Sequence, residues 1–170
     1  KPTLEDFGML AGGLIDLALA TGEARFAVRA RELVESCVAE HGFAVPGGGD
    51  PVLAAQCLAL ENDPSEGAYP SGISAIAAAA VRLDQLGIAG LREVAVAALS
   101  PISPLAVQRP ISFGGALGVI SMLDQPVRQL VVVSRTADDT LVGLARAWRG
   151  GLVAVVSPAQ CEEWDGAGFE

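Results

Sequence analysis

Residues 66–87 read EGAYPSGISAIAAAAVRLDQLG, turn chemistry followed by an almost bare alanine helix. This stretch constrains the fold more than any other. A helix over 71–87 whose buried face is methyl groups fills little space, so its neighbours must approach closely. The composition agrees: hydrophobic residues make up 51% of the 170, aromatics only 5%. Such a core of Ala, Leu and Val suits packed helices better than an aromatic-rich sandwich. Tyr69-Pro70-Ser71-Gly72 at the helix mouth reads either as a ligand-facing loop or as a capped entry, with Ser71 as N-cap.

Helical hairpins are expected on both sides. Residues 3–20 form a helix with Thr3 as N-cap and Glu5 and Asp6 in the first turn, where carboxylates complement the helix dipole. Phe7, Leu10, Leu14, Leu17 and Ala18 fall at helical spacing, and Gly12-Gly13 suggests a close backbone neighbour. Thr21-Gly22 stops this helix and residues 23–41 make a second, with Phe26, Ala30, Leu33, Cys37 and Val38 as its stripe. A short connection between amphipathic helices implies an antiparallel pair. Residues 42–51 read as a loop or small β-excursion, and 52–63 as a short helix or an extended arm, with the alanines favouring helix. Residues 71–87 and 88–99 form a second pair, Pro101 and Pro104 break the chain, and residues 111–125 form another helix with Gly115 and Gly118 as contact points. Paired helices joined by small-residue turns are the mark of α-solenoids and α/α toroids.

The texture changes at Pro126. Residues 128–134, RQLVVVS, are a continuous β-branched run expected of a buried parallel strand. A helix capped by Asp138 or Asp139 follows, then a second buried strand over 152–158, then a tail. The expected fold is mainly α: antiparallel helical hairpins of an incomplete (α/α) toroid over 1–125, and a β-α-β appendage with its tail over 126–170, packed on the same core.

Charge and cysteines exclude several functions. The net charge of −9 disfavours nucleic acid and anionic membranes. No apolar run approaches the roughly 20 residues of a membrane span. Cys37, Cys57 and Cys161 are odd in number, widely spaced and form no C-x-x-C, so neither a disulfide framework nor a zinc site is expected, and a reducing cytoplasm fits. The N-terminus lacks the pattern of a signal peptide, and a chain opening on Lys1 is expected to be a piece of a longer parent. No metal or cofactor is expected.

Few residues carry chemistry. Glu5 and Asp6 are candidate acids or bases, but adjacent carboxylates cannot straddle a sugar as hydrolysis requires. Single His41 reads as a helix-terminal or surface residue. Ser71 lacks the strand that precedes a nucleophile elbow. Tyr69, the only tyrosine, is a candidate stacking platform. The S-R-T-A-D-D-T loop at 134–140 feeds a helix N-terminus, yet has no glycine fingerprint, and its aspartates oppose phosphate.

Four stretches, LEDF, LATGEARF, EGAYPSGISA and PVRQLVVVS, together resemble one family: thioredoxin-domain-containing proteins with a six-hairpin-glycosidase-like helical toroid, among them the spermatogenesis-associated thioredoxin-like proteins. Leu4 to Phe7 match its L-E-D-Y-like helix start. Ala20, Thr21, Gly22, Glu23, Arg25 and Phe26 match its hairpin turn. Gly67, Ala68, Pro70, Ser71, Gly72 and Ser74 match its D-G-A-x-P-S-G-N-S-like helix entry, with Glu66 where the family has Asp and Ile73 where it has Asn. The resemblance implies the C-terminal part of such a protein, without the thioredoxin-like domain. It implies a relation to sugar-active toroids, with Glu5, Asp6, Tyr69 and Ser71 lining a cleft and a sugar or the missing upstream domains as partner. The alternative is a non-catalytic interaction or scaffold module.

Overall fold

The computed structural model describes residues 2–48, 64–136 and 139–169. The helix expected over 52–63, Cys57 and Asp138 lie outside the described residues. The protein is mainly α-helical, with a small parallel sheet near its C-terminus.

Two helical hairpins come first. Helix α1 (Leu4–Thr21) begins with a capping box: Thr3 accepts from the Asp6 N–H, and the Asp6 carboxylate accepts from the Thr3 N–H. Gly22, at φ 75°, ends it in the left-handed conformation that favours glycine. Helix α2 (Ala24–Ser36) returns alongside it and leads into a two-stranded hairpin, β1 (Val38–Ala39) and β2 (Gly42–Phe43). Helix α3 (Gly72–Gln85) is the alanine helix and α4 (Leu91–Leu99) its return. A short helix α5 (Ser103–Gln108), with Pro104 in its first turn, and a 3-10 turn (Pro110–Ser112) lead into α6 (Gly114–Asp124).

Helices α1, α3 and α6 run parallel. Glu5 lies against Gly72, Gly8 against Ala75 and Ile76, and Gly12 and Asp16 against Arg82, so the contacts advance together along α1 and α3. Helix α6 begins beside Glu66, before α3, and its Ser121, Met122 and Gln125 share a cleft with Arg82 and Gln85 near the end of α3. The three N-termini therefore share one end of the molecule. Helix α3 is central and almost wholly buried, packed against α1, α4, α6 and α2.

The close approach of α1 and α3 corrects the expected core stripe. The face of α1 that is buried is Leu4, Gly8, Ala11, Ile15 and Ala18. Leu10 (56% exposed) and Leu17 (41%) point outward, and Phe7 and Leu14 are partly buried. Small residues turn inward because an alanine helix offers its neighbour only a shallow surface, and backbone proximity replaces side-chain bulk. A Cβ on Gly8 would sit 2.6 Å from the Ala75 carbonyl carbon and 2.8 Å from its Cβ, whereas Gly12 and Gly13 face open space. Gly8 is thus the contact glycine, not Gly12-Gly13. Gly115 abuts the Glu66 carboxylate, and a Cβ on Gly118 would point into open space. In α2 the buried set is Ala24, Ala27, Ala30 and Val34, with Cys37 just beyond it. That face is rotated from the expected one, and Val38 is exposed.

The C-terminal unit is β3 (Gln129–Val133), α7 (Thr140–Ala147), β4 (Leu152–Val156) and α8 (Pro158–Gly166). The strands pair in parallel, Gln129 opposite Leu152 through Val133 opposite Val156. The expected burial is not observed in β3, whereas in β4 no residue is exposed and Val156 is buried. Exposure alternates along β3, and Val131 and Val133 are open to solvent, because a two-stranded sheet covered on one face buries only alternate side chains. The expected tail is also corrected. It forms α8, started by a capping box between Ser157 and Gln160. Gln160 donates to the Thr21 carbonyl (3.0 Å) and the Trp164 indole to the Gly22 carbonyl (2.8 Å). Trp164 meets the buried Phe169 edge-on at 5.2 Å. The unit sits at the C-terminal end of α1 and α3, where the Gln129 amide donates to the Gln85 carbonyl.

Candidate functional site

The four residues picked out from the sequence gather at the shared N-terminal end of α1, α3 and α6, but two are occupied there. The Asp6 carboxylate accepts from the Thr3 N–H (2.7 Å) and hydroxyl (2.9 Å). The backbone bond first, then the hydroxyl bond, holds it below the usual carboxylate range. An ionised cap is a poor proton donor at neutral pH. Ser71 is buried as the N-cap of α3: it accepts from the Ser74 N–H (3.3 Å) and its hydroxyl donates to the Ser74 hydroxyl (3.1 Å). That leaves no base to activate it. Glu5 is exposed, and Tyr69, at 69% exposure, presents its ring to solvent.

Sequence reasoning missed Glu66. Its carboxylate accepts from the N–H groups of Gly115 (2.5 Å) and Ala116 (3.0 Å), while its own N–H donates to the Ser112 carbonyl (2.8 Å). The loop before α3 is thereby fastened to the positive end of α6. Glu66→Ala is expected to cost about 1–2 kcal/mol, read as a lower urea midpoint with an unchanged m-value. Glu66→Gln should retain part of that.

Elsewhere the candidates are structural. His41 stands on the turn of the β1–β2 hairpin, not at a helix end, with Glu40 3.8 Å away. Asp139 caps α7, accepting from the Leu141 N–H (2.9 Å), so the helix mouth of the 134–140 loop is already filled by a carboxylate. Among the described residues no three His, Cys, Asp or Glu side chains converge as a metal site, and no helix is long and apolar enough to cross a membrane. Cys37 is buried, and burial pushes its thiol up against a smaller opposite pull from Ser36; Cys161 is exposed. Iodoacetamide should therefore modify Cys161 in the native protein and Cys37 only in denaturant, as peptide mass mapping would show.

Two cavities follow α3 away from the rim. The first, 360 Å³, is a groove between α1 and α6 floored by α3. The second, 280 Å³, lies between α3, α6 and the C-terminal unit. Arg82 lines both. Its guanidinium is paired with Asp16 at 2.5 Å and reaches the Gly12 carbonyl at 3.4 Å. Its side chain is 19% exposed, against 71% for Asp16. The sequence held a signal for this residue: in residues 72–83 of α3, Arg82 is the one charged side chain.

No protein-family model matches the chain, and no curated protein matches it.

Proposed function

We propose that this chain is a ligand-holding sector of an (α/α) toroid that is not catalytic alone, the C-terminal part of a protein resembling the thioredoxin-domain, six-hairpin-glycosidase-like family. The observation that carries this reading is the row of three parallel helices, α1, α3 and α6. Helices α2 and α4 return beside α1 and α3, as successive hairpins of a ring would place them. The gathered N-termini would form one rim of the ring, and Tyr69 and Glu5 are the rim residues with side chains free to meet a sugar. The occupied state of Asp6 and Ser71 supports binding without turnover. Residence in the cytoplasm fits the free thiols of Cys37 and Cys161.

A thermal-shift series against neutral and amino sugars tests this reading. A rise with one sugar class is expected, lost in Tyr69→Ala and reduced in Glu5→Gln, with the ligand-free melting temperature unchanged in both. A flat series would remove the carbohydrate reading and favour the scaffold alternative. That alternative draws on the outward Leu10 and Leu17 of α1, an apolar flank at the open end of the row.

A further inference from the structure

The two cavities along α3 adjoin at Arg82, which lines both, and together they form a trough. From Ser74 to Arg82 the groove spans about 12 Å of helix axis. Its walls include Gly12, Gly13, Ala75, Ala78, Ala79 and Val119, and none of its lining residues is aromatic. A flat slot of methyl groups and glycine backbone offers no stacking surface for a sugar or a base, and accepts a slender aliphatic chain. Past Arg82 the lining stays largely apolar, with Met122, Pro126 and Leu152, but adds the polar and cationic side chains of Arg128, Gln85, Gln125 and Ser121. Arg82 is neutralised by Asp16. Arg128 has no ion pair among the described residues, so the lining charges leave one net positive end on a chain of net charge −9. Gly151 packs directly against the Arg128 backbone, where a side chain would collide with the Arg128 carbonyl.

We propose that the trough binds an aliphatic carboxylate, its chain lying in the alanine-glycine groove along α3 and its carboxylate held at Arg128, beyond the Arg82–Asp16 pair. Charge complementarity chooses the occupant: an apolar slot that leads, past a neutralised Arg82, to the unpaired guanidinium of Arg128 in the adjoining cavity fits an apolar chain that ends in an anion. The trough's chemistry is independent of whether the helical row belongs to a toroid.

Calorimetric titration of the whole chain with octanoate, decanoate, decanol and inorganic phosphate, below micellar concentrations, tests this directly. Decanoate should bind roughly tenfold more tightly than octanoate, from two further buried methylenes. It should bind about tenfold more tightly than decanol, from the charged head. Arg128→Gln should weaken decanoate about tenfold and leave decanol unchanged. Gly12→Leu, whose side chain would enter the groove from a position with no atom in its way, should weaken decanoate and decanol alike. Silence towards decanoate would overturn the proposal. So would decanol matching decanoate, phosphate matching decanoate, or Gly12→Leu leaving decanoate affinity intact. A sugar-induced thermal shift that survives in Gly12→Leu would separate the rim site from the trough.

Discussion

Gly8→Leu is expected to lower the melting temperature by roughly 10 °C. The position is the tightest helix contact in the α1–α3 pair. An added Cβ would meet the backbone of Ala75 and Ile76 rather than the end of a mobile side chain. Backbone inside a buried helix cannot rotate away, so relief comes only by separating α1 from α3. Overpacking of this kind costs about 3 kcal/mol, and a chain of this length loses roughly 2–4 °C per kcal/mol. Gly12→Leu, one turn further on, is the control. It faces open space, and replacing a helical glycine there should be neutral or stabilising by up to about 1 kcal/mol. Equal melting temperatures for the two variants would show that α1 and α3 are not in contact through Gly8.

Phe113→Ala should cost about 3–5 kcal/mol, the largest truncation effect expected among the described residues. Phe113 is 2% exposed and, among the described residues, is the largest of the fully buried side chains. It sits at the entry to α6, where its backbone N–H donates to the Pro110 carbonyl and its carbonyl accepts from Leu117. Alanine is the commonest residue in this core, and alanine side chains cannot rearrange to refill the space left behind. The loss should appear as a lower denaturation midpoint. If truncation costs under about 1 kcal/mol, Phe113 is not a core residue.

The helices were legible because caps and periodicity act locally. Thr3, Ser71 and Asp139 each accept the hydrogen bond that their position predicts, and the strands at 128–134 and 152–158 pair in parallel. What misled was the assumption that large apolar residues mark the buried face. Around an alanine helix bulk does not decide: Gly8, Ala11 and Ala18 face inward alongside Leu4 and Ile15, while Leu10 and Leu17 face out. Periodicity shows that a face exists, and only the partner's shape says which one is buried. Helix α8 was missed because its apolar residues share no face, though Ser157-Pro158-Ala159-Gln160 carries the S-x-x-Q signature of a helix start. Of the candidate site, the rim residues were legible one by one. The pairing of Asp16 with Arg82, 66 positions apart, and of Glu66 with α6 was not. Both depend on which helices lie side by side, and no local pattern encodes that.

The central claim is that α1, α3 and α6 run parallel with their N-termini at one end. Pulsed electron–electron distance measurement tests it most directly, using spin labels on a chain with Cys37, Cys57 and Cys161 replaced. One pair joins Glu5 to Gly114, the other Glu5 to Asp124. Helix α6 is about 15 Å long, so the parallel row predicts a Glu5–Asp124 distance longer than Glu5–Gly114 by roughly 10 Å. A shorter Glu5–Asp124 distance would mean that α6 runs the other way, and would contradict both the shared rim and the trough along α3.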